Sequence, residues 1–289
     1  MSRAQCGGAI ADQNKLVALS KTFVRMFNIL AARPAMMNAR PGIKVASLTD
    51  IGRQRENNED SYLYWEPASD DEFERKGRLA IVADGMGGYE GGLEASRLAV
   101  ETVRDEYDRA FSDIPQAALL RAFAAAHERI QNYAEQHPEF YGMGTTCTAF
   151  VLRRRQVYFA HIGDSRLYLV RGTGISQLTR DHSYVGRLVA SGIVRSEDAE
   201  THPQRHILTA ALGVGEGSLA DSGEQELNLK KGDALVLCTD GLWSLVSEQE
   251  LEKVIRRNGP SESCDALVTM ALARGGADNI TVQVLRLES

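Results

Sequence analysis

The chain has 289 residues, 43% of them hydrophobic and 25% charged, and a formal net charge of −6. That is the balance of a soluble globular protein with a real core, in one large domain or two small ones. It excludes a nucleic-acid binder that works through bulk electrostatics.

Residues 1–42 hold six basic side chains against Asp12 alone, so this segment carries +5 and the remainder −11. Leu16, Leu19, Phe23, Phe27 and Leu30 recur at helical spacing. Residues 14–31 therefore read either as a basic amphipathic docking helix or as an extension without fixed structure. Arg25 interrupts the most apolar stretch, so no secretory leader is expected, and no run is long enough for a transmembrane helix. Pro34 and Pro41-Gly42 mark a boundary, giving an extension over 1–42 and a domain over 43–289. Cys6, Cys147, Cys238 and Cys264 lie far apart without a CxxC pair. This argues against a zinc site or a disulfide framework and for a reducing, cytoplasmic compartment.

From Ile43 the pattern is β. Residues 43–49 read as a strand, 53–60 as a polar turn and 61–65 as a second strand. Residues 66–77 are charged without apolar periodicity and read as loop. Leu79 to Ala83 is a buried strand that ends in Asp84 and a glycine-rich turn. Two amphipathic helices follow, one faced by Leu93, Ala99, Val100, Val103, Tyr107 and Phe111. The other opens at Pro115 and is faced by Leu119, Phe123, Ala126, Ile130 and Tyr133. Runs 144–152, 156–162 and 166–171 make an antiparallel meander. Residues 180–215 are weakly apolar and read as a mobile lid. Strands at 223–229 and 233–239, helices at 247–257 and 261–273, and a strand at 280–287 complete the chain. Strands outnumber helices, and the helices come in adjacent pairs. The expected fold is α+β, two packed antiparallel sheets with helix pairs outside.

Acidic turns punctuate this order at Asn58-Glu59-Asp60, Asp84-Gly85, Gly163-Asp164-Ser165, Thr239-Asp240-Gly241 and Ala277-Asp278-Asn279. One such turn means little; the repetition is the signal. Two carboxylates about 4 Å apart repel by roughly 4 kcal/mol at an effective dielectric near 20. Either the groups are spread over the surface or cations neutralise them. An all-oxygen set points to Mg2+ or Mn2+ before Ca2+ or zinc. Two such ions would make a shared water nucleophilic toward phosphorus. Arg55, on the same turn as Asp60, is the natural fork for the phosphate.

Arg55-x-x-Asn58-Glu59-Asp60, Asp84-Gly85-Met86-Gly87-Gly88, Gly144-Thr145-Thr146, Gly163-Asp164-Ser165-Arg166, Asp240-Gly241-Leu242-Trp243 and Asp278-Asn279-Ile280-Thr281 stand in a familiar order. The chain resembles the metal-dependent Ser/Thr protein phosphatases (PPM, or type-2C), most of all their bacterial branch, over about residues 44–287. The resemblance implies a four-layer αββα sandwich with a two-metal site at one end of the sheets. It implies that Asp84 bridges two Mn2+ or Mg2+ ions. Asp240 and Asp278 would complete the first, Glu59 and the Gly85 carbonyl the second, and Asp60 would act through water. Asp164 matches the position that holds a weaker third ion, Arg55 the phosphate-binding arginine, and 180–215 the flap. The implied reaction is hydrolysis of phospho-Ser/Thr by metal-bridging hydroxide without a covalent intermediate. The expected partners are phosphoproteins and a cognate Hanks-type Ser/Thr kinase, with no nucleic acid and a monomeric enzyme.

Many relatives have histidine at the position of Met86 or of Tyr89, and methionine cannot donate a proton. The acid for the leaving alcohol is then either water on the third ion at Asp164 or His161, which also reads as an ordinary strand histidine. His202 and His206 in the flap read as structural or substrate-facing. An alternative is a catalytically weak phosphoprotein-binding scaffold of the same fold, disfavoured because every expected acid is present. Nucleotide binding is disfavoured too, since Asp-Gly-Met-Gly-Gly is neither a Walker A nor a dinucleotide turn.

Overall fold

Helices cover one face of each sheet and the other sheet covers the opposite face, so central strands are apolar throughout rather than alternating. The strand Arg78–Met86 illustrates this: residues 78–83 are all buried. In the computed structural model the described residues are 34–37, 39–87, 91–110, 114–199, 202–215, 220–223 and 227–288. The helix expected over 14–31, and Gly88, Tyr89 and Phe111, lie outside them.

In chain order the elements are β1 (Ala35–Met36), β2 (Ile43–Asp50), β3 (Asp60–Trp65), α1 (Asp70–Lys76), β4 (Arg78–Met86), α2 (Gly91–Arg109) and α3 (Pro115–Gln136). Then come β5 (Gly144–Thr145), β6 (Cys147–Arg153), β7 (Gln156–Ile162), β8 (Arg166–Arg171), β9 (Gly174–Gln177), α4 (Tyr184–Ala190) and α5 (Ser196–Ala199). Last are β10 (Asp221–Ser222), β11 (Leu227–Asn228), β12 (Ala234–Cys238), α6 (Asp240–Trp243), α7 (Glu248–Arg257), α8 (Pro260–Ala273) and β13 (Ile280–Leu287). One sheet runs β1-β2-β13-β12-β8-β9; the other runs β10-β7-β6-β4-β3, with β11 on β7 and β5 on β4. The pairings are antiparallel.

Alternate residues sort into three apolar layers. Val45, Val82, Phe150, Leu167, Leu237 and Leu285 fill the space between the sheets. Ile81, Val151 and Ile162 pack with Leu98, Phe123 and Ile130 from α2 and α3. Leu48, Val236 and Val284 pack with Leu251, Ile255 and Leu267 from α7 and α8. This is the expected four-layer αββα sandwich.

Three expectations change. Residues 66–77 are not all loop: Ser69 caps α1 through its hydroxyl, with Asp70, Asp71 and Glu72 in the first turn and Arg75 and Lys76 in the last. Cap and dipole signals make this one-sided helix where periodicity is silent. The strand expected over 223–229 is confined to β11 within the described residues. The boundary expected at residue 42 moves toward the N-terminus, because β1 pairs with β2 and the Arg40 amide donates to Glu66 Oε2 at 3.0 Å. Among the described residues no helix is long and apolar enough to cross a membrane.

The lid region 180–215 carries α4 and α5 and is stitched to the sandwich at both ends. The His182 amide donates to Gly163 O at 2.7 Å, and Leu212 exchanges amide and carbonyl bonds with Thr145 at 2.9 and 3.1 Å.

Candidate metal centre

Strand direction brings the acidic turns together. Asp60 opens β3 and Asp84 nears the end of β4, and the two are directly paired across the ladder. In the other sheet β12 ends beside the start of β13, with Cys238 opposite Val282. Asp240 and Asp278 therefore flank the same end, and Asp164 lies in the turn between β7 and β8.

Two links tie the sheets together at this end. The Thr239 hydroxyl donates to Asp60 Oδ2 at 2.9 Å and accepts from the Thr281 amide at 3.0 Å. Asn279 Oδ1 accepts from the Glu59 amide at 2.8 Å, while its Nδ2 donates to the carbonyls of Ile51 and Asn57 at 3.0 and 2.9 Å. Asn58 Oδ1 accepts from the Asp60 amide at 3.1 Å, and its Nδ2 donates to Thr49 at 2.8 Å. Amide side chains thus anchor the 53–60 turn at several points. On the β4 side, the Asp84 amide donates to Thr146 Oγ1 at 3.0 Å, and the Asp84 carbonyl accepts from Thr145 Oγ1 at 2.8 Å.

Close approach also selects glycine. A Cβ on Gly85 would lie 2.0 Å from Gly92 O and 2.7 Å from Glu59 O. At Gly52, φ is +78° and a Cβ would lie 2.1 Å from Asp278 O. Only glycine accepts both the turn and the contact there.

The electrostatics are those of a crowded anionic site. Burial, then Asp240 and Asp278, push the Asp60 carboxyl up to about 7, against hydrogen bonds from Thr281 and Thr239. Burial pushes Asp84 well above the carboxylate range, reinforced by Asp60, Asp240, Asp164 and Asp278. Asp164 is raised by burial, Asp240 and Asp181, with Arg166 opposing. Glu59 is raised by burial and by Asp278, with Arg55 opposing. Asp60 Oδ1 and Asp240 Oδ1 are buried without a hydrogen-bond partner among the described residues. An oxygen-only donor set with orphaned, mutually repelling carboxylates fits hard divalent cations. Among the described residues no three acids or histidines already close on one point as a finished cage. Asp278 Oδ2 is instead held by Arg55 Nη2 at 2.7 Å, a half-exposed guanidinium on the rim. That hydrogen bond raises the Arg55 pKa.

Asp164 is pinned from behind. Its carbonyl accepts from Trp243 Nε1 at 3.0 Å, and Arg166 lies 3.7 Å above the Trp243 ring while gripping Asp181 at 2.7 Å.

His161 is sealed. Its Nε2 lies 3.1 Å from the Arg180 carbonyl, which can only accept, and its Nδ1 lies 2.8 Å from the Thr148 hydroxyl, which is also 2.8 Å from the Ser165 carbonyl. Burial and His182 push it down to about 4. It is a neutral, satisfied strand histidine, as the plainer expectation had it. His202 Nδ1 accepts from the Gln204 amide, a local loop contact. His206 faces the centre, with Nδ1 3.7 Å from Asp240 Oδ2.

Sequence reasoning placed the acids but gave no role to Asn279, Thr239 and Thr281. The available signal was polar side chains inside strand ends that are otherwise Val and Leu. Asn279 is 5% exposed. Asn279→Ala strands one amide and two carbonyls, each costing about 1–3 kcal/mol. The expected loss is about 3 kcal/mol or more by urea unfolding, with weaker Mn2+ binding by calorimetry because Glu59 is no longer fixed.

The chain matches the family model described as Protein phosphatase 2C over residues 53–270. It is 37% identical over 239 residues to the serine/threonine phosphatase stp of Listeria innocua, covering 81% of this chain and 92% of that one. The Mycobacterium tuberculosis phosphatase PstP/Ppp superposes with a TM-score of 0.73 at 34% identity, over 86% of this chain and 99% of that one. A PstP catalytic domain in complex with two manganese ions superposes with a TM-score of 0.71 at 32% identity, over 86% and 99% of the two chains.

Proposed function

We propose a function from one premise: this chain belongs to the protein phosphatase 2C family and is a metal-dependent Ser/Thr phosphoprotein phosphatase of the bacterial type. On our reading it works in the cytoplasm as a monomer and reverses the action of a Hanks-type kinase. It hydrolyses phospho-Ser and phospho-Thr by direct attack of water, with no covalent enzyme intermediate. The observation that carries this is the meeting of Asp60, Asp84, Asp164, Asp240 and Asp278 at one end of the two sheets, where burial and then the other four carboxylates raise the proton affinity of Asp84. Asp84, Asp240 and Asp278 would hold a first Mn2+ or Mg2+, Asp84, Glu59 and the Gly85 carbonyl a second, and Asp164 a weaker third, with Asp60 in support. When bound, the ions supply neutralising charge and the Lewis acidity that makes water nucleophilic.

The chain's own residues do the rest. Arg55 binds and orients the phosphoryl group, exchanging its Asp278 contact for a bidentate grip on the substrate. Asn279 and Asn58 fix the turn that carries it. His161 is held neutral with both nitrogens engaged, so it is not the donor to the leaving alcohol, and Met86 has no proton to give. Solvent water at the cleft protonates the alkoxide.

The test is phosphate release from a phosphothreonine peptide in EDTA and then with Mn2+ or Mg2+. Activity that is absent in EDTA and restored by metal supports the reading; a folded chain inert with every metal overturns it. Arg55→Ala is expected to lower kcat/KM by about 10²–10³-fold, as loss of one strong charge-assisted grip does. Arg55→Lys should recover only part, because a point charge lacks the fork.

A further inference from the structure

The hairpin joining β6 and β7 reads Arg153-Arg154-Arg155, at the end of the sandwich opposite the metal centre. With Arg75 from α1 it lines an open concavity of about 650 Å³. Glu74 is the one acid among the described lining residues. A four-arginine concavity is a local inversion in a chain of net charge −6.

Three of the four arginines are not absorbed by structure. Arg75 and Arg155 have no side-chain hydrogen bond or ion pair among the described residues. Arg154 meets Glu74 only at 3.4 Å, with side chains 80% and 61% exposed, a contact worth little in water. Arg153 is held in place, 5.6 Å over the Tyr158 ring and 3.3 Å from the Arg75 carbonyl.

The backbone adds a second observation. Arg153 pairs with Gln156, so Arg154 and Arg155 form a two-residue loop. Arg154, at φ 57°, is the one non-glycine residue with positive φ among those described. A loop with positive φ at its first residue alone is the type that favours glycine there. Arginine at this position keeps a strained backbone where glycine would relieve it, and strain of that kind is retained where the side chain serves a purpose.

We propose that this concavity binds a second phosphorylated side chain of the substrate protein, while the first is hydrolysed at the metal centre. The inference rests on the phosphatase reading above. Guanidinium forks match a phosphate dianion, and the hollow suits a discrete group better than a flat surface. β6 has seven residues, so the two sites are about 20 Å apart or more. A substrate must therefore carry its phosphates well separated along the chain.

The test uses the full chain with Mn2+ and three peptides. One carries a single phosphothreonine. The others add a non-hydrolysable phosphonate about four or about twelve residues away. Four residues span at most about 14 Å and cannot bridge, whereas twelve can. The longer spacing is expected to lower KM about tenfold with kcat unchanged, through raised effective concentration, and the shorter to change nothing. The double variant Arg75→Glu/Arg155→Glu should lose the gain and keep the rate on the single phosphopeptide. Arg154→Gly should weaken the gain while Tm holds or rises, an outcome that a merely structural arginine would not give.

Equal KM for all three peptides overturns the proposal, and so does a gain that survives the double variant. Capture of phosphatidylglycerol vesicles without any peptide gain would assign the hollow to a lipid surface instead. If the single phosphopeptide is never hydrolysed, the function reading has failed on its own. Docking is then read by fluorescence anisotropy of a labelled phosphonate peptide in EDTA, where equal affinity for wild type and the double variant overturns it.

Discussion

Asp240→Asn is expected to lower kcat/KM on a phosphothreonine peptide by about 10³-fold or more while leaving the fold intact. Asp240 opens the single turn α6 just after β12, and one of its carboxylate oxygens is buried without a hydrogen-bond partner among the described residues. The amide keeps the side chain's shape but removes the charge that a cation needs. Several kcal/mol of transition-state stabilisation depend on that cation, and about 4 kcal/mol is a factor of 10³. Burial of Asp84 and Asp164 beside Asp240 raises both carboxyls, so removing the Asp240 charge also relieves repulsion. In EDTA the variant should therefore melt at a temperature equal to or above that of the wild type. Lost activity with retained or raised Tm separates a ligand from a structural residue. Lost activity with a lowered Tm would count against the role given to Asp240.

Metal-free protein is expected to lose stability as pH rises from 5 to 8, opposite to the usual behaviour of paired carboxylates. Asp60 is raised to about 7 in the folded state and returns to the ordinary range, about 4, on unfolding. Between those values the folded chain holds a proton that the unfolded chain has released, so unfolding free energy falls with rising pH. The fall is concentrated between pH 5 and 7, where it amounts to roughly 3 kcal/mol for this one group, and Asp84 is shifted in the same direction. Urea midpoints in EDTA at pH 5 and pH 8 should differ accordingly. Saturating Mn2+ should remove the trend, because bound cations supply the missing counter-charge, and Asp60→Asn should reduce it without metal. A midpoint that does not change with pH in EDTA would mean that these carboxylates do not repel one another as closely as their positions imply.

Much of this was legible in the residues. The apolar runs at 79–83, 234–238 and 280–287 announced strands because each is covered on both faces, and paired amphipathic helices announced outer layers. The acidic turns were visible because aspartate and glycine directly after an apolar run serve few purposes other than a tight turn. Helix α1 was not visible, since its capping by Ser69 and its charge order carry no apolar stripe. Strand β9, four residues that are half-exposed, was equally silent. His161 looked chemically available in sequence; only its burial between Thr148 and the Arg180 carbonyl removes it from the chemistry.

The sequence by itself determined the layer pattern and marked the acidic turns with Arg55 among them, because strand periodicity and turn chemistry are local properties of the chain. Tertiary structure alone decided which side chains lock that set together. Asn279 reaches Glu59 across 220 residues and Thr239 reaches Asp60 across 179. Hydrogen bonds of that separation depend on how two sheets are stacked, and no local pattern encodes the stacking. Proton affinity follows the same rule: Asp60 and Asp84 are 24 positions apart in sequence, and both are raised because the fold buries them on paired strands and then brings Asp240 and Asp278 to the same end.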